Sequence, residues 1–469
     1  MKPELAWIVT DDRSLAERVE LSLEGVARGV VRVPVADWLG AGNLGRPGQV
    51  VLDLRQSQPL AAELWASLDG LGGRLSRLTE QAIPVIGITD LAIPLGSMVA
   101  ADRWLGDTVT WPASSERLQQ AWRTAMRATR SGLEETREFR EIHSDHHSFR
   151  TYTRSLFPAI ERLERAAAHD FTILIVGETG TGKTTLANLI HELSPRRREH
   201  RFLTVACGAL PGDLIDSELF GHVKGAFTGA DRLKAGKFEA AGPGTILLDE
   251  IDVLGLLQQA KLLRVLETGQ YEMVGSNETI QANCRTIVAS NVPLESLVDS
   301  REFRADLYYR LNQVKIEIPP LRDRPLDIIP LAAHFARECC DEHGLDVQSI
   351  HIDMLRILKS YDWPGNIREL RNEVRRAVLF VRDATLAPDA LSLAILEKFD
   401  NTQPADTYVA SSALAQEVAS TERESIELML RKQGYNRAAT ARALGISRVT
   451  LYNKLRKYRI DVDQMSDDD

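Results

Sequence analysis

The sequence predicts an α/β chain of several domains that ends in a small all-helical unit. Three observations lead there. Short apolar runs alternate with helical patterns over roughly the first 125 residues, and the alternation resumes after a charged break. The last stretch combines small residues at helical spacing with a local excess of positive charge. The chain has 469 residues, more than one hydrophobic core serves, so two to four domains are expected.

The composition, 44% hydrophobic and 26% charged, is that of a water-soluble globular protein. The longest apolar runs, such as residues 171–176, are far too short to cross a bilayer, so no membrane association is expected. The first residues show no apolar core flanked by a cleavage site, which predicts a cytoplasmic protein without a signal peptide. Cys207, Cys284, Cys339 and Cys340 lack the spacing of a metal site or a disulfide framework and read as reduced, buried thiols.

In residues 1–128, strands are expected at 5–9, 50–54, 84–88 and 108–111, with helices at 14–24 and 114–128, as in a doubly wound parallel sheet. Residues 129–148 are densely charged and read as a helical linker; His143, His146 and His147 lie in it without further metal ligands nearby in sequence. A second α/β block begins at 149, and a more helical segment, introduced by Pro319, Pro320, Pro325 and Pro330, continues to 396. Residues 397–420 are polar and lack strong periodicity, so they read as a second linker. The last folded unit is expected at 421–460.

Residues 171–190 place an apolar strand, a glycine-rich turn and an amphipathic helix in succession, the context that gives G-x-x-x-x-G-K-[ST] its meaning. Gly177, Gly180 and Gly182 let backbone N–H groups face phosphate oxygens, and Glu178, Thr179, Thr181 and Thr185 complete the loop. Lys183 is expected on the β- and γ-phosphates of ATP, and the Thr184 hydroxyl on Mg2+. The strand at 245–251 ends in Asp249 and Glu250. Asp249 is expected to hold the metal through its water shell, and Glu250 to orient and activate the attacking water. Arg304 and Arg310 are six apart and distant in sequence from the loop. They read as arginines delivered to a neighbouring subunit's site or as surface ion-pair residues. Residues 225–230, Gly-Ala-Phe-Thr-Gly-Ala, are expected to form an apolar finger inside this nucleotide-binding block, suited to being moved against a partner.

Five motifs occur in order: SELFGH at 217–222, GAFTGA at 225–230, LLDEI at 247–251, FRADLYYRL at 303–311 and WPGNIREL at 363–370. Together they closely resemble the AAA+ domain of bacterial enhancer-binding proteins, the activators of sigma-54 RNA polymerase. The resemblance covers residues 149–396. It implies that Phe227 and Thr228 form the tip that engages sigma-54 and that Ser290 and Asn291 stand at the first sensor position. It likewise makes Arg304 and Arg310 the arginines acting in trans, and Arg368 the second sensor. A hexameric ring, assembled from dimers, is implied as well. The family usually reads V-N-C-A-A-L where this chain has V-A-C-G-A-L at 205–210, so Ala206 cannot make the Asn hydrogen bond to the catalytic Glu.

Residues 431–460 carry nine basic residues and no acidic one, on a chain of net charge −9. Within them, Ala438, Ala439, Ala443 and Leu444 give a small-residue face, Gly445 a turn, Ser447 a cap, and Val449, Leu451 and Leu455 an inward face. This helix-turn-helix pattern resembles the Fis-type module of enhancer-binding proteins. Arg448, Thr450, Tyr452, Asn453 and Lys454 are its candidates for the groove of double-stranded DNA at upstream enhancer sites, with Arg456, Lys457 and Arg459 on phosphates. A basic three-helix interaction module is the other reading.

The N-terminal block resembles a response-regulator receiver: Asp11 and Asp12 follow its first strand, Asp53 ends a later one, and Thr89 and Pro112 close the pattern. Asp53 is a candidate phosphoacceptor. Receivers place a Lys before that Pro, where this chain has Trp111. The other reading is therefore a degenerate receiver that serves as a dimerisation or ligand-sensing platform, a cyclic dinucleotide being one conceivable effector, with Arg150 and Arg154 as its faint signature.

The resulting expectation is a DNA-binding regulator that hydrolyses ATP to remodel sigma-54 holoenzyme. The alternative is a regulator that uses nucleotide to set its oligomeric state and acts as a repressor or with another sigma factor.

Overall fold

The computed structural model describes residues 5–40, 47–57, 60–69, 83–132, 139–209, 211–228, 230–381 and 383–402, and beyond these residues 423, 426–436, 439, 440, 443, 451, 455 and 460. The chain divides into two compact units, Met1–Arg130 with Ile329–Tyr361 and Arg371–Asp469, and Ser131–Ile328 with Asp362–Leu370. No described helix is long and apolar enough to cross a membrane.

The first unit contains a parallel sheet of β1 (Leu5–Val9), β2 (Gly29–Val33), β3 (Gln49–Asp53), β4 (Val85–Thr89) and β6 (Asp107–Thr110), in the order β2-β1-β3-β4-β6. Every residue of β3 and β4 is buried, as a sheet covered on both faces by helices requires. The helix Arg13–Ser22 starts where the Asp12 carboxylate accepts the N–H groups of Ser14 (2.9 Å) and Leu15 (3.1 Å). Its Leu15 and Val19 pack with Ile8, Val51, Ile86, Val109 and Trp122 of the helix Ser115–Gly132. This is the flavodoxin-like order, in which ligand sites lie beyond the carboxyl ends of the strands beside β1 and β3. The four expected strands and the first helix stand within two residues of their predicted ends, and the helix expected at 114–128 runs on to Gly132. Strand β2 was not expected: it is a half-exposed edge strand whose residues lack strict alternation.

The same unit holds a three-stranded sheet, in the order β19-β18-β5. Here β5 (Ala92–Pro94), just after β4, runs antiparallel to β18 (Ser349–His351), which pairs with β19 (Thr385–Leu386). Ile93 and Ile350 face each other in the register and are each 1% exposed. The N–H of Leu95 donates to Gln348 (2.9 Å), and Lys359 pairs with Asp102 (2.6 Å). A strand of the N-terminal block thus pairs with a strand far along the chain.

The second unit is built on β9 (Ile173–Val176), β10 (Phe202–Ala206), β13 (Thr245–Asp249), β16 (Arg285–Ser290) and β17 (Val314–Glu317), in the order β10-β13-β16-β9-β17, all parallel. Apolar side chains fill both faces of the sheet, Leu174, Leu248 and Val288 on one and Ile173, Leu247 and Ile287 on the other.

Part of the expected helical linker is a hairpin instead. After the helix Ser115–Gly132, β7 (Arg140–His143) pairs antiparallel with β8 (Ser148–Thr151). Period-two alternation decides this: Ile142 and Phe149 are buried and face each other, while the charged neighbours point outward. Its turn is closed by the Ser144 N–H on His147 (2.8 Å), and His147 meets the Glu192 carboxylate (2.8 Å). The helix Leu393–Thr402 runs across position 396, the boundary expected from composition. At the C-terminus Ile426, Leu430, Leu451, Leu455 and Ile460 form one apolar cluster, with Tyr435 against it. Leu451 and Leu455 are inward as expected; Ala443, of the expected small-residue face, is exposed, and Thr440 nearby is buried.

Candidate functional site

The glycine-rich turn follows β9 and leads into the helix Lys183–Glu192, whose N-cap Gly182 has φ 102. Gly180 has φ 82, and a Cβ there would overlap the carbonyl of Gly365. That carbonyl belongs to the WPGNIREL segment. The N–H groups of Ile367 (2.9 Å) and Arg368 (3.3 Å) both donate to the Gly180 carbonyl, which fixes Arg368 beside the loop. Lys183 is 6% exposed and donates to the carbonyls of Gly177 (2.7 Å) and Glu178 (3.1 Å) and to Oδ1 of Asn291 (2.7 Å). Burial pushes its pKa down, against the pull of Asp249, Asp252 and Glu250. Its bonded acceptors are neutral, so the charge stays available to an anion in the loop. Thr181 turns its hydroxyl to the Glu178 carbonyl (2.8 Å), and Thr179 and Thr184 are exposed.

Asp249 closes β13, and burial raises the pKa of its carboxyl although Lys183 opposes the shift. Glu250 follows in the left-handed region, φ 58, a conformation that turns its side chain off the strand line. Asn291 ties these groups together: its Nδ2 donates to Glu250 Oε1 (3.5 Å) while its Oδ1 accepts from Lys183. Asn291 is held in turn by its N–H on Asp252 Oδ1 (3.0 Å), which also accepts from Ser290 (3.1 Å).

Sequence reasoning missed three groups here. A Cβ on Gly208 would overlap Oε2 of Glu250, so this position lets the carboxylate come against the turn after β10. Asn366 is fully buried with φ 52; it donates to Thr179 (3.0 Å) and Glu178 (3.2 Å) and accepts the Leu321 N–H (2.7 Å). Arg322 forks onto Glu178 at 2.9 and 2.6 Å. The glycine in V-A-C-G-A-L was a usable signal for the first; the other two depend on contacts between distant segments.

Arg304 and Arg310 engage other parts of this chain. Arg304 is paired with Asp306 (2.8 Å), and Arg310 donates to the Leu266 carbonyl (3.0 and 2.7 Å). Arg150 is held by Glu141 (2.8 Å). Arg448, Thr450, Tyr452, Asn453 and Lys454 lie outside the described residues.

The GAFTGA loop lies between β11 (Gly221–His222) and β12 (Lys234–Ala235), which pair antiparallel. Gly225 N–H donates to Ala230 (2.8 Å), and Ala230 N–H to Phe227 (3.0 Å), which closes the turn. Phe227 is 38% exposed and sets its ring edge-on to His222, 5.0 Å between centroids. His222 is buried on Ser217 (2.6 Å), so the SELFGH motif holds the base of the loop. The hairpin of β14 (Gln270–Glu272) and β15 (Thr279–Gln281) supports it from the side: Val223 N–H donates to Val274 (3.1 Å), and Val274 N–H to Gly221 (2.9 Å).

At the carboxyl edge of the first sheet, Asp53 is fully buried, and Arg55 reaches both Asp53 and Asp12. The Arg55 guanidinium holds the Asp12 carboxyl at about 2, below its ordinary 3.8.

This geometry is that of a P-loop nucleotide-binding domain with an exposed, internally bonded loop at 225–230. Residues 150–317 match the sigma-54 interaction domain, 322–407 the AAA+ ATPase lid domain, and 417–458 the Fis family of bacterial regulatory proteins. The chain is 42% identical over 301 residues to the Sigma54-dependent transcriptional activator SfnR of Pseudomonas putida, covering 62% of this chain and 82% of that protein. It is 43% identical over 298 residues to the regulatory protein AtoC of Escherichia coli, covering 63% of this chain and 64% of that one. A crystal structure of NtrX from Brucella abortus with ADP is 26% identical, covering 97% of this chain and 99% of that one, with a TM-score of 0.49. The chain belongs to the sigma-54-dependent transcriptional regulators. The matched region spans 46% of one longer relative, the transcriptional activator HyfR of Escherichia coli.

Three outcomes are expected. Lys183→Ala should weaken nucleotide binding by about a hundredfold or more, roughly 2.7 kcal/mol, read by calorimetry. Gly208→Ala should displace the Glu250 carboxylate and lower turnover roughly tenfold, about 1.4 kcal/mol, with nucleotide affinity unchanged. Because the folded pKa of Asp12 is depressed, its stabilisation is complete above pH 3.8 and is lost as pH falls through about 2. The stability gap between wild type and Asp12→Asn, measured by urea unfolding, should therefore close over that interval.

Proposed function

We propose that this chain is a cytoplasmic DNA-binding regulator that hydrolyses ATP to remodel sigma-54 RNA polymerase holoenzyme and so activates transcription. The observation that carries the reading is the short route from Glu250 to Phe227. Glu250 abuts Gly208, Gly208 precedes the helix Gly212–Phe220, and that helix runs directly into β11 and the GAFTGA turn. A change in the position of Glu250 therefore bears on the segment that holds the loop.

Bound Mg-ATP would supply the transferable phosphoryl group and the divalent charge that steadies it. The residues suit that load: the loop 177–185 presents N–H groups at a helix N-terminus, Lys183 carries a cation held by neutral acceptors, and Thr184 and Asp249 stand ready for the metal. Glu250, oriented by Asn291, would hold the attacking water by accepting its proton. Arg368 would offset charge from the same chain. Arg304 and Arg310, the first exposed, would leave their present partners and reach the site of a neighbouring copy in a ring of dimers closing to a hexamer. Arg448, Thr450, Tyr452, Asn453 and Lys454 would read DNA upstream of the promoter and so concentrate the ring near the polymerase.

Thr228→Ala should leave ATP turnover within about twofold and abolish open-complex formation by sigma-54 holoenzyme. The check is in vitro transcription on a sigma-54 promoter, with ATP and with a non-hydrolysable analogue. Undiminished transcription by Thr228→Ala, or full activation with the analogue, would refute the reading.

A further inference from the structure

Three carboxylates meet at the carboxyl edge of the first sheet: Asp11 and Asp12 after β1, and Asp53 at the end of β3. A receiver would use such a trio to hold a divalent cation and to phosphorylate the strand-end aspartate. The residues here do not fit that use, because the chain's own cation lies among them.

Arg55 donates through Nε to Asp53 Oδ1 (2.8 Å) and through Nη2 to Asp53 Oδ2 (2.9 Å) and Asp12 Oδ2 (2.9 Å). The Thr10 hydroxyl donates to Asp53 Oδ2 (2.8 Å), and the Arg55 N–H lies 3.4 Å from Oδ1. Both oxygens of Asp53 are thus engaged, and its side chain is 0% exposed against 11% for Arg55. Asp12 Oδ1 is committed to the helix cap, and Asp11 Oδ1 accepts the Val35 N–H (3.1 Å). Trp111 stands where a receiver has its lysine, its ring 6.0 Å from the Arg55 guanidinium and 4.6 Å from that of Arg18. The site therefore sets two guanidinium groups against the indole that stands in the lysine's position.

We propose that Arg55 is the built-in cation of this edge, so that the N-terminal block neither takes a divalent metal through Asp53 nor accepts a phosphoryl group on it. Two arguments support this. A divalent ion at Asp53 would have to sit against the fixed charge of Arg55, in a site where burial leaves little solvent to screen the repulsion. Phosphorylation needs an Asp53 oxygen to attack phosphorus, and the Arg55 fork, the Thr10 hydroxyl and the Arg55 N–H together engage both oxygens twice. Arg55 gives the edge the neutralisation that a metal would otherwise supply, without depending on ion concentration or on a phosphodonor.

The test uses the full chain without nucleotide. Mn2+ is titrated and the free ion followed by electron paramagnetic resonance, for wild type and for Asp53→Asn, Arg55→Met and Arg55→Met/Asp53→Asn. Wild type and Asp53→Asn should titrate alike. Arg55→Met should gain one site at least tenfold tighter than any in wild type, and the double variant should lose it. With acetyl phosphate and Mg2+, wild type should carry no hydroxylamine-sensitive phosphoryl group. The proposal is overturned by a wild-type Mn2+ site that Asp53→Asn removes, by acyl phosphate on Asp53, or by a folded Arg55→Met that binds Mn2+ no better than wild type. The two wild-type arms decide the matter even if Arg55→Met fails to fold.

Discussion

A buried lysine charge organises the second unit. An ammonium taken out of water needs acceptors, and Lys183 finds them in two backbone carbonyls of its own loop and in Asn291. Asn291 can serve because β16 lies beside β9 in parallel, with Ser290 opposite Val176, so the two strand ends open side by side. Asp249 arrives from β13, the next strand in the same sheet. Loop conformation, sheet register and the orientation of Glu250 are in this way conditions on one another. Shifting β16 by a residue would exchange Asn291 for a side chain pointing to the opposite face.

The two sheets place a cation at the same kind of edge and treat it differently. Lys183 is bonded to neutral oxygens, so its field survives and can receive an anion. Arg55 is bonded to two carboxylates, so its charge is cancelled where it stands. Placement at the carboxyl edge of a parallel sheet is common to both; the charge of the bonded partners decides whether the edge is a receptive site or a closed one. The same logic holds at the loop base, where Ser217 satisfies the buried His222, and Phe227 has a fixed surface to rest on.

Much of the nucleotide site was legible in the chain because it is contiguous there. A strand, a glycine turn, a lysine and a helix occur within twenty residues, and Asp249 and Glu250 mark the end of one apolar run. The GAFTGA loop was legible for the same reason. The β7–β8 hairpin was not: its charged outer face imitates a solvated helix, and its inward residues, Ile142 and Phe149, are separated by a turn. Arg55 was invisible because an arginine two residues past a strand reads as surface charge until the backbone folds it back over Asp53. Asn366 was quoted within a motif, but its work is done on Glu178, Thr179 and Leu321, far away in sequence.

By itself the sequence determined which groups are present and which lie close by virtue of chain continuity: the phosphate loop, the acidic strand end, the apolar fingertip, the basic C-terminal segment. Local periodicity and backbone preference suffice for these, since each involves a single element and its flanking turns. The tertiary structure decided how the charges are partnered. It put Asn291 between Lys183 and Glu250, opened Gly208 to the Glu250 carboxylate, and folded Arg55 onto Asp53. Electrostatic character depends on distances of a few ångströms between residues far apart in the chain, and those distances arise when strands from separate segments come into register.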